Sequence, residues 1–208
     1  MKHRWLWVEC VALFALLPVV FWFLPLKPLL FLVLWVMGLG CLLLWMRMTK
    51  AGVGELWRGV PRQAWKPMLL RFAVCAPALL AFTAWHDPER LFSFPIERPG
   101  MWAVVMLLYP VLSVIPQEIV YRVFFCERYK ALFAGRATLL MSGLAFGHAH
   151  LFLGNWVAYV FSAIGGVMFA QTYEKHRNFA LIWVEHALYG CWVFTLGLGW
   201  YFYHGARG

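Results

Sequence analysis

Six ionisable side chains lie inside long apolar stretches of this chain: Glu118 and Arg122, His148 and His150, Glu185 and His186. A charged or titratable group at membrane depth is costly, so its default reading is functional and its partner must be sought. Glu118 and Arg122 are four residues apart, which on a helix places them on one face, able to pair. Such a pair can simply neutralise a buried charge, and a single buried histidine is more often a core residue bonded to a carbonyl than a catalyst. Depth changes the weighing. Counted from the inferred cytoplasmic ends, Glu118, His150 and His186 lie roughly 10 to 18 Å inside, at about 1.5 Å per helical residue. One carboxylate and two imidazoles facing one cavity can activate water for hydrolysis, or hold a divalent metal such as zinc that does so. His148 lies about 200° round the helix from His150, so His150 is the cavity residue and His148 a supporting one.

Seven apolar segments are long enough to carry these groups across a bilayer, which takes about 20 helical residues. They run from Trp5 to Leu24, Leu29 to Met46, Met68 to Trp85, Met101 to about Cys126, Thr138 to Gly154, Trp156 to Tyr173, and Phe179 to about Tyr201. Their length, and the need to satisfy backbone groups within each segment, exclude strands. The expected fold is therefore all-α, a polytopic membrane helix bundle of about seven transmembrane helices. No linker or repeat divides residues 1–208, which read as a single membrane domain.

Composition agrees: 63% of the 208 residues are hydrophobic and 13% charged, against about 25% charged in soluble domains. The net charge of +9 does not form a basic face or tail, so nucleic acid is not an expected partner; the lipid bilayer is. Lys and Arg fall in the breaks. The stretch from Arg47 to Lys66 carries five basic residues against Glu55, whereas the next break carries Asp87, Glu89 and Glu97 against Arg90 and Arg98. With cytoplasmic loops rich in Lys and Arg, 12 of the 18 basic residues fall inside and four outside, leaving Arg71 near a span end, within snorkelling reach, and Arg122 deeper. The N-terminus is then cytoplasmic and the C-terminus outside. The first span looks like a signal peptide but has no small-residue cleavage site before Pro25, and reads as retained. Five scattered cysteines read as small apolar residues.

The motifs resemble those of the CAAX protease and bacteriocin-processing family of intramembrane endopeptidases, and the family-like core spans about residues 101–200. Pro116-Gln117-Glu118-Ile119-Val120-Tyr121-Arg122 resembles its EExxxR motif, in a Pro-Gln-Glu form like that of a bacterial branch. Phe146 and His150 hold the places of its FxxxH motif. His186 to Gly190 resembles its third motif, a His followed four residues later by Asn or another residue. The resemblance implies a cavity opening toward the cytoplasmic leaflet and hydrolysis of a peptide bond near a membrane-anchored or tagged terminus. It also implies that Glu118 and His150 activate water while His186 stabilises the tetrahedral intermediate or completes a metal site with them; Arg122, Gln117, Glu185, Phe146 and His148 would support.

Two positions depart from the pattern. Gln117 stands where the family has the first Glu, and a neutral amide takes no proton. Gly190 stands where Asn would donate to an oxyanion. Either Glu118 is the base here, with Glu185 tuning His186, or the chain is a silent relative that binds a membrane peptide or partner. A small proton-coupled transporter is the third reading, against which stands the lack of any repeated half.

Overall fold

The computed structural model describes residues 2–23 and 29–203, so Leu24 and Pro25 of the expected first span and break lie outside the described residues. Among the described residues every regular element is helical and none is a strand. We number the long helices α1 (His3–Phe23), α2 (Leu30–Thr49), α3 (Arg62–His86), α4 (Pro99–Arg128), α5 (Arg136–His148), α6 (Trp156–His176) and α7 (Phe179–Thr195).

Each of the seven expected segments thus contains a long helix, but they differ in character, and the seventh ends at Thr195, six residues short of the expected Tyr201, with a turn before the short helix Gly199–Phe202. By length and composition α1 to α4 can each cross a membrane. They turn large apolar side chains outward, as at Val74 and Leu107, where lipid tails and not water solvate them. The 13 residues of α5 and the 17 of α7 are shorter; α6 has 21 residues but ends in the polar run Gln171-Thr172-Tyr173-Glu174-Lys175-His176. Helix ends also run past the apolar segments. α3 begins six residues before Met68 and includes Arg62 and Lys66, because hydropathy marks hydrocarbon thickness, not where backbone hydrogen bonding stops. The expected fifth span divides: α5 ends at His148 and a short turn, Leu151–Leu153, leads to Asn155. Asn155 caps α6, its Oδ1 accepting from Ala158 N at 2.8 Å.

Two local features set the site. In α4, Pro110 and Pro116 have no N–H to give, and π-helical turns, Pro110–Val114 and Ile119–Phe124, flank the α-helical turn Ile115–Glu118. Such widened turns recur at functional sites. Ser142 of α5 donates to the Tyr121 carbonyl at 2.6 Å, pinning α5 to this stretch. α5 and α6 then pack almost backbone to backbone: a Cβ on Gly143 would lie 2.7 Å from Val167 N, and one on Gly147 3.0 Å from the Tyr159 carbonyl oxygen. This is the close approach expected of small residues four apart.

Candidate active site

α4, α5 and α7 bring the motif residues together, and they do so in two groups. The first is buried. Glu118 and Arg122 are both fully buried on one face of α4, with Glu118 Oε2 and Arg122 Nε 3.4 Å apart, an ion pair whose angle forms no hydrogen bond. The guanidinium lies over the rings of Phe146 (4.3 Å) and Phe169 (5.2 Å), and its Nη2 reaches the Gly166 carbonyl at 3.4 Å. The other carboxylate oxygen, Glu118 Oε1, is 2.7 Å from His186 Nδ1. His186 is 5% exposed and stacks on Phe169 at 4.7 Å. α7 holds it at this depth because Asn178 caps the helix, its Oδ1 accepting from Leu181 N at 2.8 Å.

The second group lines a cavity of about 770 Å³. Its polar wall includes Tyr109, Ser113 and Gln117 of α4, His150 and His186. Gln117 Nε2 donates to Ser113 Oγ at 2.9 Å, so its carbonyl oxygen remains available. His150 follows the end of α5, and its Nδ1 is 2.8 Å from the Phe146 carbonyl oxygen. A carbonyl only accepts, so Nδ1 carries the hydrogen and Nε2 keeps its lone pair. Tyr109 places its hydroxyl 3.0 Å from His186 Nε2. Glu118 does not line this cavity.

The other expected residues sit farther back. Glu185 is fully buried and pairs with Arg71 of α3, which also bonds Thr172 and, at 3.1 Å, Gln171. Arg71 therefore turns into the bundle instead of snorkelling, and Glu185 braces α3 to α6 and α7. His148 Nε2 meets the Ala15 carbonyl oxygen of α1 at 3.0 Å. Glu118, His150 and His186 do not offer three donors to one point, since Glu118 and His186 bond each other and both His186 nitrogens are engaged. Among the described residues no group of three His, Cys, Asp or Glu side chains has the geometry to hold a metal.

Sequence reasoning missed Tyr109. Its signal is indirect: a Cβ at Gly190 would run into the Tyr109 ring and hydroxyl, so the glycine in the third motif makes room for a tyrosine from another helix.

The comparisons with known proteins centre on this same part of the chain. Residues 99–192 match the family described as type II CAAX prenyl endopeptidase Rce1-like. The match begins at the first residue of α4, takes in both groups, and supports the CAAX protease and bacteriocin-processing family that the motifs resemble, and with it a membrane protease. No curated protein and no solved structure matches the chain.

Proposed function

We propose that the chain is an intramembrane endopeptidase of a bacterial inner membrane that hydrolyses a peptide bond near a membrane-anchored or tagged terminus. The observation that carries this reading is one cavity wall holding an accessible imidazole, His150, beside a second imidazole whose far side is fixed by a buried carboxylate. The family match over the same residues supports it.

In this reading the water lies between the Gln117 carbonyl oxygen and His150 Nε2. Gln117 accepts one hydrogen bond and orients the water; His150 removes the other proton as oxygen attacks the scissile carbonyl, then returns it to the departing amine. Glu118 does not touch the water. Its carboxylate takes the Nδ1 hydrogen of His186, which fixes the tautomer and leaves Nε2 facing Tyr109. In the resting site the Tyr109 hydroxyl gives its one hydrogen to His186 Nε2, and as the oxyanion forms that hydrogen turns to it, supplying the donor that an Asn at position 190 would give. The products are a new carboxylate and a new amine, with one water consumed.

The purified chain in liposomes, given membrane-anchored polypeptides in water enriched in oxygen-18, is expected to release a fragment whose new C-terminal carboxyl carries one heavy oxygen. If no such polypeptide is cut while a crosslinkable copy is retained, the chain is a binding protein and the hydrolytic reading fails.

A further inference from the structure

The cavity and the basic loops lie at opposite ends of the bundle. Tyr121 is the cavity residue of α4 nearest Arg128 and stands seven residues before it; Phe169 stands seven before His176, and His186 seven after Phe179. The helices α1, α2, α3 and α5 keep their cavity residues at least ten residues from the same end. At about 1.5 Å per residue this leaves a closed layer about 10 Å thick. The layer is packed: Val123, Phe124, Phe125, Tyr129, Phe179 and Ile182 are at most 2% exposed. It is also tied across, since Arg128 and Tyr129 both bond Glu9 of α1, at 2.5 to 3.0 Å.

Toward the other end the cavity runs among apolar and aromatic side chains, out to Phe31 (46% exposed) and Tyr203 (50% exposed). No Asp, Glu, Lys or Arg is among the lining residues described. The charge pattern separates the two ends. The closed end carries the Arg47 to Lys66 stretch, Arg128, Lys130, Arg136, Lys175 and Arg177, while the open end carries Asp87, Glu89 and Glu97 beside two basic residues, Arg98 and Arg90, the latter held by Asp87 at 2.7 Å. Lys- and Arg-rich connections stay cytoplasmic.

We propose that the cavity opens to the non-cytoplasmic side, the reverse of the cytoplasmic opening that the motif resemblance implies. Resting on the endopeptidase reading, the substrate is then a polypeptide already carried across the membrane, whose uncharged apolar terminal segment enters from the outer leaflet. A polypeptide lipidated and retained in the cytoplasm has no route to His150.

Two full-length variants test the opening independently of activity. Intact cells are treated with a membrane-impermeant maleimide, both variants being made in a Cys75→Ala chain because Cys75 lines the cavity; that chain is the blank, its other four cysteines being buried or half-buried. Tyr203→Cys, at the mouth, is expected to label at once, and Lys130→Cys, at the closed end, only after permeabilisation. Alkaline phosphatase fused after Gly208 is expected to be active, a second measurement that needs no substitution. The reverse labelling, or an inactive fusion beside a stable chain, overturns the proposal. Two co-expressed reporters then present the same apolar segment with its cleavable region outside or inside. Cleavage of the outside form alone supports the proposal, and cleavage of the inside form alone overturns it. Outward labelling with neither reporter cut supports the opening and counts against the endopeptidase reading, so the two failures are distinguishable.

Discussion

Gln117 and Glu118 are neighbours in sequence and belong to different regions of the molecule. Gln117 sits on the cavity wall, bonded to Ser113 and open on its carbonyl side; Glu118 is sealed in the interior between Arg122 and His186. One step along a helix turns the side chain by about 100°, so adjacent motif residues cannot share a task. The wall group, with His150 and Tyr109, is where substrate atoms can reach. The interior group, with Arg122, holds an imidazole in place. The lesson is that an acidic residue in a motif is not a base by virtue of being the only carboxylate there: access decides, and here the accessible acceptors are an amide oxygen and an imidazole.

This division can be broken most easily in the interior. Arg122→Met leaves Glu118 buried without its cation, and breaking a buried pair from one side costs about 3 to 5 kcal/mol. A melting curve in detergent is expected to show that loss, and an unchanged midpoint would mean the pair is idle. Next is the wall. Tyr109→Phe removes the proposed oxyanion donor while keeping the ring that fills the space over Gly190, so the cleavage rate is expected to fall by about 10² to 10³ while stability falls only by the roughly 1 kcal/mol of one hydrogen bond to His186. Gly190→Ala should produce a similar loss by displacing Tyr109, and a fully active Gly190→Ala chain would remove Tyr109 from the mechanism. Glu118→Gln is expected to act more gently, because the amide still reaches His186 but no longer bears charge. Losing a charge-assisted bond of about 1.5 to 3 kcal/mol slows cleavage roughly 10- to 100-fold. The smallest effect is expected from Gln117→Glu, a few-fold rise in rate from a second acceptor at the water; a large loss would mean that the amide donates to Ser113 for a reason beyond orientation.

Much of this was legible from residue types alone. Long apolar runs fix helices because a bilayer tolerates little else, and each of the seven segments contains a long helix. Glu118 and Arg122 at four-residue spacing do pair. Other features depend on contacts between segments, which no single helix encodes. Arg71 reads as a snorkelling residue because only the approach of α3 to α7 gives it Glu185. Tyr109 has no motif, and its role rests on an absent side chain at Gly190, 81 residues later. The proposed direction of the cavity comes from charge and packing read together, and it reverses the one that the motif resemblance implies.

The measurement that tests the account most directly is the cleavage rate of His150→Ala in liposomes, taken beside Glu118→Gln and with both chains shown to be folded at the assay temperature. The account predicts that His150→Ala loses activity by at least about 10²-fold and loses more than Glu118→Gln. A His150→Ala chain that cuts at the natural rate, or a Glu118→Gln chain that is the deader of the two, would contradict it and return the role of base to the buried carboxylate.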